Sequence, residues 1–245
     1  PIVDVPDART AAGTYNKSHR TRPSMTVAAS RRTQTIPRRS GGGPRRRTAK
    51  IIEAAAEVFA RRGYHGASTQ DIADVLGIRQ ASLYYYFPSK DAALEHVCLR
   101  GAEGYAETAE AIAKEDAPAA AKVRKLIKSH LQPLEDRRAF VTVFLRERHH
   151  LSDESRRRVG RISRRYERQV QEMMRSGVRS GEFRADLDPR LATLALLGMC
   201  NAVPEWYGIE PNATIARIAE AFGDLFIEGL QGKSKRRAEP SKGRT

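Results

Sequence analysis

The chain has 245 residues and a formal net charge of +15, with 44 Lys and Arg against 29 Asp and Glu. A hydrophobic share of 40% is enough for a packed core in one or two domains, and the positive excess suits a polyanionic partner. No run of about 20 apolar residues occurs, which excludes a membrane-spanning helix, and no apolar stretch near the start marks a secretion signal.

Residues 1–45 are predicted to be a disordered basic arm. They show little periodicity, carry several prolines and include the run Ser40-Gly41-Gly42-Gly43-Pro44. Residues 1–50 hold twelve of the basic side chains and two acids, so most of the excess charge lies there. The segment Arg31–Lys50 has eight Lys or Arg and no acid. It reads either as an arm that tracks phosphates or the minor groove, or as a solvated tail. Pro1 stands first instead of methionine and is read as a fragment or processed start, with Met25 as an alternative start.

The stretch Ser68–Lys90, STQDIADVLGIRQASLYYYFPSK, carries the strongest signal. Ser68 is a good N-cap, with Asp71 three places on as an imperfect capping box. Ile72, Ala73, Val75 and Leu76 give a short helix its apolar face. Gly77 follows, where a left-handed C-cap costs glycine least. A second helix opens at Arg79 or Gln80 and places Leu83 and Phe87 on one face. Arg79, Gln80, Ala81, Ser82, Tyr84, Tyr85 and Tyr86 are left to face outward. Consecutive helix positions point about 100° apart, so the three tyrosines cannot all enter the core. Pro88 ends this helix and Ser89 caps the next, with Lys90 in its first turn. Two short helices about a tight turn are the layout of a helix-turn-helix, whose second helix enters the DNA major groove.

The segment from about Arg47 to Val97 resembles the DNA-binding domain of the TetR family of transcriptional repressors. The residues that carry the likeness are Ile51, Ala54, Phe59, Gly63-Tyr64, Ser68-Thr69, Ile72-Ala73, Leu76-Gly77, Leu83-Tyr84-Tyr85, Phe87 and Ser89-Lys90. The resemblance implies that Thr69 and Lys90 contact phosphates. It also implies that Gln70, Gln80 and Ala81 sit near base edges, with Tyr84, Tyr85 and Tyr86 around the backbone. Tyr86 stands where the family often has histidine; a phenol can also bond a phosphate.

From Asp91 onward the pattern is helical, so the expected fold is all-α. A small DNA-binding domain (46–97) precedes a larger ligand-binding and dimerisation domain (98–232) and a basic tail (233–245). One long helix is expected from Ser89 past Tyr105, then helices over about Ala117–Pro133 and Arg137–His149. Ser152 caps a long helix that ends near Ser180-Gly181. Asp188-Pro189 starts the next, closed by Pro204 or Gly208, and Asn212 caps the last. Leu191, Leu194, Leu197, Met199 and Val203 put apolar residues almost all round one helix, while Gly198 and its small neighbours allow close approach. Ile218, Phe222 and Phe226 follow at helical spacing. Pairing of these two helices across a two-fold axis, through Leu194, Gly198, Ile218, Phe222 and Phe226, predicts a homodimer.

In the stretch Ser152 to Arg184, seven arginines (156, 157, 158, 161, 164, 165 and 168) crowd the same few turns of a helix that has an apolar stripe through Tyr166. They read either as an exposed basic face or, at Arg158 and Arg165, as the fringe of an apolar cavity for an anionic small molecule. With Trp206-Tyr207 the segment weakly resembles the acyl-CoA-responsive ligand domains of the same family. That implies an effector site at Arg158, Arg165, Tyr166, Leu197 and Trp206. No catalytic signature or metal-ligand spacing appears: His149 and His150 are adjacent and diverge on a helix. Cys98 and Cys200 both sit in helical patterns, indicate no disulfide framework and suit a reducing cytoplasm. The expected protein is therefore a cytoplasmic regulator of transcription, without cofactor, metal or catalysis. Its partners are double-stranded DNA, a small-molecule effector and a second copy of the chain, and no membrane. The rival reading is an architectural protein that binds nucleic acid without sequence choice.

Overall fold

A computed structural model describes residues 44–231. The predicted arm (1–45, apart from its last two residues) and the tail (233–245) lie outside them. The described residues form helices joined by turns, with no strand. Helix α1 runs Pro44–Gly66, α2 Thr69–Leu76, α3 Gln80–Leu83 and α4 Lys90–Ala102. The body adds α5 Tyr105–Ala113, α6 Ala119–Leu131, α7 Pro133–Asp136 and α8 Arg138–Glu147, the last followed by a 3-10 turn at Arg148–His150. Helices α9 Asp153–Ser180, α10 Pro189–Trp206 and α11 Ile215–Gln231 complete it.

Local signals place most of these ends. Ser68, Ser89 and Ser152 each accept a backbone N–H from the first turn of α2, α4 and α9. Asp188 does the same for α10, with Pro189 at its first position. Gly77 and Gly181 are left-handed at φ 63° and 78° and close α2 and α9, as the sequence predicts.

Three ends differ from expectation. The single helix expected from Ser89 past Tyr105 is two, because the chain turns at Gly104 (φ 87°). The second helix of the reading motif has one helical turn, Gln80–Leu83, and Tyr84–Tyr86 continue as turn. Thr214 caps α11 by accepting the Arg217 N–H at 3.3 Å, while Asn212 (φ 60°) shapes the preceding loop.

Two apolar cores result. The first joins α1 to α4 around Phe59, Ile72, Leu83, Phe87 and Leu94, and takes in Phe140 and Val143 of α8 and Val159 of α9. The second fills the body from α5, α6, α9, α10 and α11. Helix α4 is therefore held from both sides: it closes the small domain and packs along α8 and α9. At Gly101 the contact is close; a Cβ there would stand 2.7 Å from the Phe140 carbonyl oxygen.

Candidate nucleic-acid interface and cavity

The reading head presents α3 and the turn after it. Leu83 and Phe87 are buried and anchor it. Arg79, Ala81, Ser82, Tyr84 and Tyr85 face solvent, as does Gln70 on α2, and Tyr85 is 85% exposed. Tyr86 is half-buried, with its ring edge-on to Tyr85 at 5.2 Å. Thr69 and Gln80 are held together: Gln80 Nε2 donates to Thr69 Oγ1 at 2.7 Å, and the Tyr84 hydroxyl lies 3.4 Å from the same oxygen. Gln70 donates to Asp74 at 2.6 Å. Val75, expected on the apolar face of α2, is exposed.

The capping box of α2 is complete. Asp71 accepts the Ser68 N–H at 2.8 Å, while its own N–H donates to Ser68 Oγ at 3.1 Å. The Ser68 hydroxyl, which donates to the Asp71 carboxylate at 2.7 Å, and the Ser68 N–H, with Arg62 at 2.7 Å, hold that carboxyl below its usual range.

Lys90, which the family resemblance puts at a phosphate, is engaged within the protein. Its ammonium donates to the Tyr64 and Ala67 carbonyls at 2.9 and 3.0 Å and sits 4.3 Å above the Tyr64 ring. The cause is Gly63 (φ 66°), which breaks the end of α1 and turns those carbonyls toward α4. Lys90 thereby ties α1 to α4. The same junction is gripped from the body, where Glu147 at the end of α8 accepts the Tyr64 N–H at 2.9 Å. The His150 ring stacks on Tyr64 at 5.0 Å. The Tyr64 phenol donates to Asp91, and burial together with that bond pushes its pKa up to about 12.

Within the body a cavity of about 310 Å³ opens between α4, α5, α6, α8, α9 and α10. Gly101 and Ala102 of α4 form part of its wall, so the helix that leaves the reading head also bounds the cavity. Much of the lining is apolar, with Phe144, Ile162, Leu194 and Leu197 among it. At one place polar groups converge: His130 lies 2.8 Å from the Tyr166 hydroxyl and 3.2 Å from Asn201 Oδ1. Burial pushes the His130 pKa down to about 4, so the imidazole is neutral at pH 7. Two charged residues line the cavity. Glu167 is paired with Arg190 at 2.9 Å, and Arg148 rests against the Phe144 ring with no carboxylate partner among the described residues.

Of the five residues expected around an effector, Tyr166 and Leu197 line this cavity and three do not. Arg158 is taken by Glu95 of α4 and Glu154, and Arg165 by Glu107 and Glu110 of α5. The helix itself is short of acids, as its sequence says, but its neighbours supply them across 55 to 63 residues of chain. Trp206 lies in a separate surface groove at the α10–α11 turn, its ring 6.4 Å from Phe222. Among the other arginines of α9, Arg157, Arg161, Arg164 and Arg168 form an exposed stripe, on the side of the helix away from Tyr166. Sequence reading missed His130, Asn201 and Arg148. Asn201 stands out as a polar residue within the apolar α10, whereas His130 and Arg148 lie in polar stretches that carry no such mark.

The expected dimer residues also divide. Ile218 is buried in the protomer's own core. Leu194 and Gly198 are exposed, Phe222 and Phe226 half-buried, and Leu191 and Leu225 are exposed by 63% and 68%. Cys98 and Cys200 are free and buried, and burial pushes both thiols up to about 12. No described helix is long and apolar enough to cross a membrane.

Comparison with known proteins agrees with this architecture. Residues 51–97 match the bacterial regulatory proteins of the tetR family, and residues 116–230 match a tetracyclin repressor-like C-terminal domain. The fatty acid metabolism regulator protein of Bacillus subtilis is 26% identical over 75% of this chain and 95% of its own length. The transcriptional repressor KstR2 of Rhodococcus jostii is 26% identical over 78% and 94%. Among solved structures, the regulator PfmR of Thermus thermophilus superposes with a TM-score of 0.69 at 29% identity, covering 76% of this chain and 100% of that one. The Bacillus subtilis regulator FadR, solved with stearoyl-CoA, gives 0.62 at 26% identity over 74% and 98%. With its reading head matched to one model of the family and its helical body to the other, the chain belongs to the TetR family of transcriptional regulators.

Proposed function

We propose that this protein is a dimeric, ligand-released repressor that binds a palindromic operator in the cytoplasm. The observation that carries the reading is α4: it starts at the reading head with Lys90 and ends in the cavity wall with Gly101 and Ala102. A ligand that fills the cavity acts on the same rigid helix that carries the head. Ligand and DNA then weaken each other by equal factors.

In this reading Gln70, Arg79, Gln80, Ala81 and Ser82 meet base edges, while Thr69, Tyr84, Tyr85 and Tyr86 meet the phosphate backbone. Gln80 can keep its bond to Thr69 and still offer its second amide N–H and its oxygen to a base, while Thr69 keeps its hydroxyl proton for a phosphate. Two heads read successive major grooves about 34–36 Å apart. The outward apolar face of Leu191, Leu194 and Gly198 on α10, and of Phe222, Leu225 and Phe226 on α11, is the surface offered to the second copy. The effector is an acyl thioester: an apolar chain suits the lining, and Arg148 suits its anionic part. The relative solved with stearoyl-CoA supports that class.

The test has two steps. Selection from a random DNA pool should enrich one palindrome, and octanoyl-CoA should then release the protein from it. If no sequence is enriched, the protein is an architectural binder. If an enriched operator stays bound at every thioester concentration, ligand release by this class is wrong.

A further inference from the structure

The polar corner of the cavity has a hydrogen-bonding pattern that a plain hydrocarbon chain would leave unanswered. Asn201 of α10, His130 of α6 and Tyr166 of α9 meet there, and the Tyr105, His130 and Tyr166 rings pack at 5.2 to 5.7 Å. With Asn201 Oδ1 facing the imidazole, His130 Nε2 carries the proton and donates to it. Nδ1 then accepts from the Tyr166 hydroxyl. That leaves the Asn201 NH2 as a donor and the Tyr166 oxygen as an acceptor, neither with another side-chain partner among the described residues, and both residues line the cavity. Turning the amide over exchanges the two roles and still leaves one donor and one acceptor.

The corner is also uncharged. Burial keeps His130 neutral and pushes the Tyr105 phenol up to about 12 and the Tyr166 phenol well above its usual value. The four side chains of the corner offer a carboxylate no positive charge. An alkyl chain would bury the free donor and acceptor unsatisfied, which sites built for a hydroxyl or carbonyl reject strongly.

We propose that the cavity selects a ligand bearing an uncharged oxygen, a hydroxyl or a carbonyl, on an otherwise apolar chain, read by the Asn201 amide and the Tyr166 phenol. This rests on the reading of the cavity as the effector site. Octanoic acid, 3-hydroxyoctanoic acid and 8-hydroxyoctanoic acid, each also as its CoA thioester, are titrated into the full-length protein by calorimetry. The two hydroxylated chains carry the oxygen near either end.

At least one hydroxylated chain should bind about tenfold tighter than its saturated parent, the worth of one hydrogen bond. Asn201→Leu should bring that ratio to about one, and Tyr166→Phe should lower it with the ring kept in place. The ratio is its own control, and the second variant serves if the first does not fold. Equal binding of saturated and hydroxylated chains by the wild type overturns the inference. So does a preference that survives both substitutions. Hydroxy acids that bind while every thioester fails would keep this inference and remove the thioester reading. Failure of all six compounds would overturn both.

Discussion

Protonating His130 should destabilise the fold between pH 7 and pH 5. The imidazole sits between Tyr105 of α5, Tyr166 of α9 and Asn201 of α10, with no carboxylate among these contacts. Its pKa falls from 6.5 to about 4, chiefly through burial, against which the Asn201 bond pulls the other way. The sign follows from proton counting. Below pH 6.5 the unfolded chain binds a proton that the folded protein does not, so the stability is fully present above 6.5 and is lost as pH falls toward 4. Integrated from pH 7 to pH 5, the loss is about 2 kcal/mol. For a chain of this size that lowers the midpoint of thermal unfolding by roughly 4–8 °C. The measurement is urea unfolding at pH 7, 6 and 5, at one protein concentration, for the wild type and for His130→Gln. Glu95 and Glu110, held below the usual carboxylate range mainly by their bonds from Arg158 and Arg165, lose stability at still lower pH in both proteins alike. The quantity to read is thus the difference between the two pH profiles. If wild type and variant lose the same stability between pH 7 and pH 5, the burial argument for His130 fails.

Gly101→Ala should cost about 1–3 kcal/mol, because its Cβ would stand 2.7 Å from the Phe140 carbonyl oxygen and 2.9 Å from the Phe144 Cβ, forcing α4 off α8; unchanged urea unfolding would show slack between those helices. Leu225→Glu should give a monomer in sedimentation at micromolar concentration, since a charge would then stand on the apolar face that α11 turns outward; an intact dimer would move the interface elsewhere. Gln80→Ala should flatten the preference for operator over random DNA by about 1–3 kcal/mol, whereas Thr69→Ala should weaken both DNAs alike and reduce the salt dependence of binding. Equal losses for Gln80→Ala on the two DNAs would remove its base-reading role.

What the sequence could disclose, and what it could not, divides by the range of the interaction. Ser68, Ser89, Ser152 and Gly181 act within one turn of chain, so their capping roles are readable from neighbours alone. The fold class and the reading head follow, because they rest on such local punctuation and on apolar spacing. The turn at Gly104 is different. A helix from Ser89 past Tyr105 is consistent with every local preference except two glycines, and of these Gly101 stays helical while Gly104 turns, which lets α5 pack on α6 and α9. The arginines of α9 fail for the same reason. Arg158 has Glu154 one turn away on the same helix, but Glu95, Glu107 and Glu110, which complete the pairing of Arg158 and Arg165, lie far away in sequence. Ile218 and Leu225 show the limit on the dimer face. Both fit the apolar repeat of α11, yet they lie on opposite sides of its boundary with solvent, and only the rotation of the packed helix decides which is inside.

The cavity carries the argument one step further. A net excess of arginine pointed to the long basic helix as the place for an anionic ligand. The structure instead neutralises the two arginines of that helix expected at the site with carboxylates from α4 and α5, joined by Glu154 of α9. It leaves Arg148, the cation that follows α8, at the cavity wall. Arg148 sits beside Glu147 and two residues from His150, the pair that grips Tyr64 at the junction of α1 and α4. Charge abundance locates where a protein needs partners; it does not locate where it lacks them. In a marginally stable fold an arginine with carboxylates in reach is part of the scaffold. On the proposed reading, Arg148, at the cavity wall and with no carboxylate partner among the described residues, is the cation offered to an anionic ligand.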